Sequence, residues 1–406
     1  MIIRIEYLNR LSQWKNEKVI KVITGIRRSG KSTLLTQFRD SLLAEGVSSE
    51  QIVYINFEEL ENEELLDYKK LYSFVRERLA ENRMTYIFFD EIQQVPDFQK
   101  AVDSLFVKEN TDIYITGSNA WLLSGELATL LSGRYIEINL LPFSFSEYYE
   151  LKGGDTDKAL ADYMRFGSMP YVASLENVNE KADVYLEGIY NTIILKDIDE
   201  RQKRRENDPN RRKVNDISLL KNIAKFLASS VGNPVSVKSI ADYITSSGRK
   251  VSQNTVSDYL EALVEPYIFY PSERYDVPGK QLLKNNKKLY IADLGLRRHL
   301  IARDRYDLGF SLENIIYFEL LRRGFAVNTG KVGNAEIDFI AKKGDMIRYY
   351  QVTASMTDEK TFEREMAPFR AISDNYPKTV LTLDRFSSGN YNGVEVVNAT
   401  DWLLDK

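Results

Sequence analysis

A glycine-rich segment near the N-terminus, Gly25-Ile-Arg-Arg-Ser-Gly30-Lys31-Ser32, has the spacing of a phosphate-binding loop. It follows the β-like run VIKVIT and precedes the helical run TLLTQF, which is the context such a loop requires. Glycines let backbone N–H groups wrap around phosphates, at a helix N-terminus that favours anions. Lys31 would then reach the β- and γ-phosphates of ATP, and Ser32 would bind Mg²⁺. The residues predicted to bind the nucleotide are Gly25, Arg28, Ser29, Gly30, Lys31, Ser32 and Thr33.

Two arginines inside this loop, Arg27 and Arg28, are larger than a phosphate cradle requires. One of them could bind phosphate or face a partner subunit. Solvated surface arginines would fit the same pattern, so the residues leave both interpretations open.

Two carboxylates follow a second apolar run, Tyr86-Ile-Phe-Phe-Asp90-Glu91. Charges at the end of a buried strand are costly unless they are neutralised, and Mg²⁺ beside the phosphate loop would neutralise them. We therefore expect Asp90 to bind the metal together with Ser32, and Glu91 to act as the general base that polarises the attacking water. Without the loop, the pair would equally suit an ordinary strand end.

The elements that must position these residues can be traced across residues 1–150, where short β-like runs alternate with helical patterns. Such alternation predicts an α/β fold with a parallel sheet, and runs that are apolar nearly throughout are typical of strands covered on both faces. Helices are expected at 32–45 and 97–108. The strands are expected at Lys18–Thr24, Gln51–Phe57, Thr85–Asp90, Asp112–Gly117 and Tyr135–Leu140.

The rest of the chain predicts three further parts. Periodic apolar residues across 151–213 indicate helices that end in a charge-dense linker, DERQKRRENDPNRRK. Residues 214–275 are mainly helical, and residues 276–406 return to mixed α/β. The elements expected there are helices at 216–230, 236–246, 252–264 and near 312–323, and strands around 335–341 and 347–354.

With these motifs in place, the chain resembles AAA-type ATPases of the P-loop superfamily. It is most similar to a prokaryotic family that joins such a core to a winged helix and a nuclease-like domain. The residues that carry the resemblance are GIRRSGKSTLL, YIFFDEIQQV, ITGSN, LLSGRYIEINLLPFSFSEYY and EIDFIA. It implies an ATPase core at 1–150, a helical lid and linker at 151–213, a winged helix at 214–275 and a restriction-endonuclease-like α/β domain at 276–406.

The same resemblance implies roles for polar residues outside the two motifs. Asn56 stands where such ATPases restrain the catalytic glutamate, and Ser118 or Asn119 stands at the sensor position near the γ-phosphate. Arg134 matches an arginine finger, which stabilises transition-state charge from its own or a neighbouring subunit. From its residue type, Arg134 equally suits a helix cap or an ion pair. The predicted catalytic set is Lys31, Asn56, Glu91, Ser118, Asn119 and Arg134.

The third helical pattern of the winged-helix segment begins with residues of the kind that contact bases or phosphates. Ser252 suits the N-cap of this helix. Asp258 and Glu261 share its exposed side and the chain is acidic, so contact with DNA and contact with a protein both remain open. The candidate contact residues are Arg249, Lys250, Gln253, Asn254, Thr255 and Ser257.

The C-terminal domain resembles the PD-(D/E)XK nucleases through Glu313 on a helix, then Glu336 and Asp338 on one face of a strand. Clustered carboxylates are what Mg²⁺-dependent phosphodiester cleavage requires. An active member should carry an acidic residue or Gln and then Lys on the next strand, where this chain has Gln351 and Thr353. We therefore expect a degenerate domain, although Glu313 and Asp338 could retain a weak metal site.

Composition limits the remaining classes. The chain has 406 residues, no Cys and one His, which excludes disulfide scaffolds, thiolate zinc sites and cysteine nucleophiles. Its net charge of −4 gives no overall attraction for nucleic acid, so any DNA contact must be local. No run approaches the ~18 apolar residues of a membrane helix. The sequence therefore predicts a cytoplasmic protein that does not contact membranes.

Together these features predict a Mg²⁺-dependent ATPase that acts as a switch or motor, with a homo-oligomer or a protein partner as its context. A nucleic-acid-binding protein with ATP-gated affinity is the alternative from another class. An active nuclease that uses Glu313 and Asp338, and a small-molecule kinase, are further alternatives.

Overall fold

The computed structural model describes residues 2–117, 131, 133–176, 178–194, 214, 216–279, 281–301, 307–333 and 335–405. The chain forms two compact units, the first comprising Met1–Pro142 and Glu265–Tyr267, the second Phe143–Val264 and Ile268–Lys406. Glu265–Tyr267 thus belongs to the first unit, although its sequence neighbours on both sides belong to the second. Among the described residues, no helix is long and apolar enough to cross a membrane.

The first unit is built on a parallel sheet whose strands pair in the order β2-β3-β4-β1-β5. Its strands are β1 (Ile20–Thr24), β2 (Ile52–Asn56), β3 (Thr85–Asp90), β4 (Thr111–Thr116) and β5 (Tyr135–Asn139). Its helices are α1 (Ile5–Gln13), α2 (Lys31–Ala44), α3 (Tyr68–Arg76) and α4 (Phe98–Phe106). The α/β fold class is confirmed, and all five predicted strands form within two residues of their expected bounds.

Burial explains why these runs become strands. Every residue of the central strands β1, β3 and β4 is buried, whereas the edge strands β2 and β5 are only partly covered. Successive residues point to opposite faces, so Phe88 joins one hydrophobic cluster and Phe89 the other. Because all the strands are parallel, their carboxyl ends meet at one edge, which is where the polar residues lie. These end residues are Thr24, Asn56, Asp90, Thr116 and Asn139.

The second unit combines helices with a mixed sheet of strand order β13-β14-β12-β11-β10-β9-β7-β8-β6. Its first helices are α5 (Phe145–Lys152), α6 (Thr156–Phe166), α7 (Pro170–Ser174), α8 (Val178–Thr192), α9 (Ile217–Ser229), α10 (Val237–Ser246) and α11 (Gln253–Val264). The later helices are α12 (Leu294–Ile301), α13 (Leu308–Arg322), α14 (Glu359–Arg370) and α15 (Ala399–Leu403). The strands are β6 (Pro234–Val235), β7 (Phe269–Asp276), β8 (Gln281–Ile291), β9 (Ala326–Val332), β10 (Ala335–Lys343), β11 (Met346–Thr353), β12 (Lys378–Thr382), β13 (Gly389–Tyr391) and β14 (Val394–Asn398).

The sheet of the second unit crosses the boundary predicted between residues 275 and 276. Strand β8 pairs with β6 and β7, which belong to the winged-helix segment, and β7 pairs in parallel with β9 of the C-terminal segment. The backbone hydrogen bonds of β7 are thus shared by both segments, so one sheet joins them. The three helices predicted for the winged-helix segment are present as α9, α10 and α11. The predicted linker, residues 199–213, lies outside the described residues.

Candidate active site

The loop between β1 and α2 has the backbone geometry of a phosphate cradle. Gly25 has φ +139°, and a Cβ atom there would lie 2.2 Å from the Leu140 carbonyl oxygen, so only glycine fits. Gly30 precedes α2 with φ +100°, and Arg28 also adopts a left-handed conformation while its side chain stays exposed. The first amides of a helix have no acceptor within that helix. The loop therefore directs backbone donors toward the space where Lys31 begins α2.

Lys31 and Ser29 fit a bound phosphate. Lys31 is only 4% exposed, and its Nζ donates to the carbonyl oxygens of Gly25 at 3.1 Å and Ile26 at 3.4 Å. Its ammonium thus lies inside the curve of the loop. The Ser29 hydroxyl is buried and has no hydrogen-bond partner among the described residues. A buried hydroxyl without a partner is costly, and a ligand oxygen would satisfy it.

Asp90, at the end of β3, lies in what we call the hydroxyl-lined site, formed with Ser32, Thr116 and Tyr54. Its carboxylate accepts hydrogen bonds from Thr116 Oγ1 at 2.5 Å, from Tyr54 Oη at 3.3 Å and from the Ser32 side chain. Burial raises the pKa of the Asp90 carboxyl, and these hydrogen bonds oppose the rise. Hydrogen bonds from these neutral donors offset part of the free-energy cost of burying the Asp90 carboxylate, but they supply no positive charge. Ser32 and Asp90, the two predicted Mg²⁺ ligands, are thus brought into direct contact.

Glu91 is held in place from two directions. Its backbone has φ 56°, and its N–H donates to Thr116 Oγ1 at 2.9 Å. Gln93 donates to its carboxylate. Sequence reasoning missed both Gln93 and Thr116, although the position of Thr116 at the end of the strand beside β3 was a usable signal. The carboxylate therefore lies next to Asp90 in sequence but is oriented separately.

The remaining predicted residues fall into three groups. Asn56 pairs in register with Asp90, but its side-chain amide accepts from the Glu58 N–H at 3.0 Å and donates to Glu59 at 3.4 Å. Its restraint of the catalytic glutamate stays a prediction, since the described contact to that carboxylate comes from Gln93. Thr33 is exposed in the first turn of α2. Ser118 and Asn119 lie outside the described residues.

Arg134 lies at the edge of the sheet opposite the phosphate loop. It directly precedes β5, whose first residue, Tyr135, pairs with Ile20 at the start of β1. The loop follows the other end of β1, about 13 Å away at ~3.3 Å per residue. That separation exceeds the length of an arginine side chain. Arg134 is exposed over the ring of Phe106, and its charge partly offsets the rise that burial causes in the pKa of Asp103.

Arg4 ties the N-terminal segment to the loop, a contact that sequence reasoning missed. It is 4% exposed, and its guanidinium donates to the Leu141 carbonyl at 3.0 Å and the Ser29 carbonyl at 3.5 Å. Its backbone N–H donates to Gln37 of α2 at 3.3 Å. The segment before α1 is therefore bonded to the phosphate loop at Ser29 and to α2 at Gln37. No local motif in the sequence indicates this role.

A second group of carboxylates lies in the other unit, where Glu313 and Asp338 are buried and the Glu336 side chain is 32% exposed. We call Glu313, Glu336, Asp338 and Lys288 the lysine-centred cluster. The Lys288 ammonium is 2.7 Å from Glu336, 3.0 Å from Glu313 and 3.5 Å from Asp338. Burial alone would lower the pKa of Lys288, but the three carboxylates outweigh burial and raise it. Tyr290 also donates to Glu313 at 2.7 Å, so the cluster is bonded internally.

The residues at the expected nuclease positions have other partners. Gln351 accepts from the Asp338 N–H at 3.3 Å and donates to Glu365 at 2.8 Å, while Thr353 donates to the Ser355 carbonyl at 3.1 Å. Position 353 carries no cation, but Lys288 on strand β8 places an ammonium beside the carboxylates of the cluster. Within the described part of the chain, no group of three or more His, Cys, Asp and Glu side chains is arranged to hold a metal ion.

The polar residues at the start of α11 are accessible. Arg249, Lys250, Gln253 and Asn254 are exposed, and Arg249 forms an ion pair with Asp216. The predicted N-cap forms, because Ser252 Oγ accepts from the Thr255 N–H at 3.1 Å. Whether this surface contacts DNA stays a prediction.

Comparison with family models agrees with the geometry of the first unit. A model described as an AAA domain matches residues 17–149, and one described as a domain of unknown function matches residues 157–307. A solved Walker-type ATPase of Pyrococcus abyssi is 20% identical, with 74% of this chain and 96% of that chain covered and a TM-score of 0.47.

Two relatives extend over most of the chain. An uncharacterized protein of Haemophilus influenzae is 42% identical over 410 residues, covering 100% of this chain and 99% of that protein. Another, from Methanocaldococcus jannaschii, is 30% identical over 377 residues, covering 87% of this chain and 79% of that protein. The chain therefore belongs to the same family as these two relatives, and its residues 17–149 match an AAA domain.

Proposed function

We propose that the protein hydrolyses ATP with Mg²⁺ and acts as a nucleotide-driven switch that repositions the winged-helix and nuclease-like segments. The observation that carries the proposal is the bonded pair of Ser32 and Asp90 beside the glycine cradle. A hydroxyl and a strand-end carboxylate are the two ligands that P-loop ATPases give to Mg²⁺. The buried Ser29 hydroxyl, which lacks a partner among the described residues, supports a phosphate at the same place.

The chemistry of hydrolysis is divided among residues that are already close together. Lys31 exchanges the carbonyl oxygens of its own loop for oxygens of the β- and γ-phosphates. Glu91 orients the attacking water and accepts its proton, with its carboxylate oriented by Gln93 and its backbone by Thr116. Mg²⁺, when bound by Ser32 and Asp90, would supply positive charge against the phosphates.

The position of Arg134 favours a homo-oligomer. Since its own phosphate loop lies beyond its reach, Arg134 would act on the site of a neighbouring copy. An arginine finger supplied in this way stabilises the charge that develops on the transferred phosphoryl group. The switch would then require assembly as well as ATP.

The experiment that tests the proposal is steady-state phosphate release from ATP and Mg²⁺, comparing the wild type with Glu91→Gln. We expect turnover to fall by about 10²- to 10⁴-fold, the usual contribution of a general base, while ATP binding is retained. Exposed Glu81 provides the matched control, and Glu81→Gln should turn over at the wild-type rate. A Lys31→Ala variant that kept full ATP binding and hydrolysis would overturn the proposal.

A nucleic-acid-binding protein with ATP-gated affinity is the second candidate, favoured by the exposed residues Arg249, Lys250, Gln253 and Asn254. The same assay with duplex and single-stranded DNA separates the two. DNA-stimulated turnover and salt-dependent DNA binding would favour this candidate, because phosphate contacts weaken as salt rises. Unchanged mobility of labelled duplex at low salt would count against it and direct the search to a protein partner.

A further inference from the structure

The segment Glu265–Tyr267 joins the first unit between two elements of the second. It follows α11, which ends at Val264, and precedes β7, which begins at Phe269. Tyr267 is 8% exposed and has φ 61°, a left-handed conformation that aromatic residues rarely adopt. Such a backbone conformation persists only where surrounding contacts fix it. The contacts of Tyr267 must therefore hold its backbone in this conformation.

The hydroxyl of Tyr267 ends a chain of hydrogen bonds that leads to the phosphate loop. It donates to Glu137 Oε1 at 3.0 Å, and the same carboxylate oxygen accepts from Thr24 Oγ1 at 2.7 Å. Thr24 is fully buried, whereas Glu137 keeps contact with solvent. Asn139 also donates to Thr24 Oγ1, at 3.3 Å. The three residues of β1 and β5 share one face of the sheet because Thr24 pairs with Asn139.

Thr24 is the last residue before the phosphate loop, so these bonds act at its root. The Leu140 N–H donates to the Thr24 carbonyl at 2.7 Å, and the Leu140 carbonyl lies where a side chain at Gly25 would be. Backbone and side-chain contacts thus fix the root of the loop to β5. A shift of the loop cannot leave Glu137 undisturbed, because its partner Thr24 has little room to move independently.

We infer that Tyr267 is a positioning residue of the nucleotide site, and that through Glu137 and Thr24 it links the phosphate loop to α11 and β7. The inference rests on the proposed function, since ATP in the loop supplies the signal. It gives the switch a specific route, because Tyr267 lies three positions after the last residue of α11 and two positions before the first residue of β7. A displacement of Thr24 would act through these hydrogen bonds on Tyr267, and from Tyr267 along the covalent chain on α11 and β7.

The test uses the full-length protein and hydrogen exchange with and without a non-hydrolysable ATP analogue and Mg²⁺. In the wild type we expect nucleotide to protect the loop, residues 25–32, and to change exchange in α11 and β7. In Tyr267→Phe, which removes only the hydroxyl, the loop should remain protected while the response of α11 and β7 falls by at least about twofold. We also expect KM for ATP to rise about threefold to tenfold with kcat little changed, a range that the loss of one hydrogen bond supports.

Two further variants keep the inference testable. Glu137→Gln weakens the same bonds from the other side, and combining it with Tyr267→Phe should add little to either change. Tyr190→Phe is the matched control, since its buried hydroxyl has no partner among the described residues, and it should respond as the wild type does. If Tyr190→Phe lost the response equally, or if Tyr267→Phe kept it in full, the inference would be overturned.

The two proposals fail in distinguishable ways. If nucleotide does not protect residues 25–32 in the wild type, the proposed function itself is wrong. If the loop is protected but exchange in α11 and β7 does not change, only the role of Tyr267 is overturned.

Discussion

The two units each bury carboxylates, but the groups that bond to these carboxylates differ. In the hydroxyl-lined site, the described donors to Asp90 are neutral hydroxyl groups. In the lysine-centred cluster, one ammonium contacts three carboxylates within 3.5 Å. Residues of the same type are therefore buried in both places, but the described hydrogen bonds bring hydroxyl groups to Asp90 and an ammonium to the carboxylates of the cluster.

This difference separates a site that is prepared for a ligand from one that is already complete. Burying a carboxylate is costly, and hydrogen bonds from neutral groups recover only part of the cost. A cation that arrives with the ligand would therefore bind the hydroxyl-lined site favourably. In the lysine-centred cluster Lys288 already provides that charge, so a metal ion would have to displace it.

The largest effect is expected when the first site loses the positive charge that Arg134 of a neighbouring copy would supply. We predict that Arg134→Ala lowers kcat about 10³- to 10⁵-fold, as loss of an arginine finger does, while ATP binding is retained. The measurement is phosphate release at saturating ATP. Arg83→Ala, at an exposed arginine 4.0 Å from Glu50, is the matched control and should keep wild-type turnover.

A mixing experiment distinguishes a finger from a structural arginine. Arg134→Ala retains an intact phosphate loop, and Lys31→Ala retains an intact finger. Mixing the two inactive variants should therefore restore part of the turnover, because some intact phosphate loops would then lie beside an intact Arg134 of a neighbouring copy. Full activity of Arg134→Ala, or no recovery on mixing, would contradict a cation supplied between subunits.

A smaller but still large effect is expected when the built-in cation is removed from the second site. Lys288→Met leaves buried Glu313 and Asp338 without their ammonium, and breaking a buried ion pair in this way costs about 3–5 kcal/mol. Urea unfolding measures the loss, and millimolar Mn²⁺ should stabilise the variant by more than it stabilises the wild type, in which only the hydroxyl-lined site would bind the ion. Exposed Lys100, paired with Asp97, is the control, and Lys100→Met should cost under about 1 kcal/mol.

Wild-type stability of Lys288→Met would show that the ammonium is dispensable. A Mn²⁺ stabilisation as large in the wild type as in Lys288→Met would show that removing the ammonium opens no metal site in the cluster. Either result would remove the contrast between the two sites.

The first unit was the more predictable of the two because its determinants are local. The loop Gly25–Ser32 encodes its own backbone geometry, and the apolar run that ends at Asp90 can only be a covered strand. The contact between Ser32 and Asp90 then follows from parallel strands whose carboxyl ends meet. Thr116 and Gln93 were missed because their roles depend on hydrogen bonds between neighbouring elements, which residue type alone does not determine.

The second unit was less predictable because its important contacts are distant in sequence. Thr353 correctly indicated that a lysine was absent from β11, but Lys288 reaches the same carboxylates from β8, 65 positions earlier in the chain. Likewise, nothing local to Tyr267 predicts its bond to Glu137. The first contact depends on the pairing of strands in one sheet, and the second on the segment Glu265–Tyr267 belonging to the first unit. Neither arrangement has a periodic signature in the sequence.

The smallest effect concerns protons and distinguishes the two sites through pH. The Lys288 ammonium contacts three carboxylates, and the Arg274 guanidinium lies 3.8 Å from one of them, Glu336, so full ionisation still leaves excess negative charge. Burial, with the Glu313 charge, raises the pKa of Asp338 to about 7. Because the folded state then binds this proton more tightly than the unfolded state, its contribution to stability is present at low pH and is lost as pH rises from about 4 to 7.

We predict that Asp338→Asn reduces the fall in the free energy of unfolding between pH 5 and pH 8 by roughly 1–3 kcal/mol. Urea unfolding at each pH measures this free energy. The amide cannot ionise, so the excess charge no longer develops as pH rises. Asp345→Asn, at an exposed turn, should keep the wild-type slope. If Asp338→Asn instead followed the wild-type pH profile, the pH dependence would not come from Asp338, and that carboxylate would be ionised well below neutral pH.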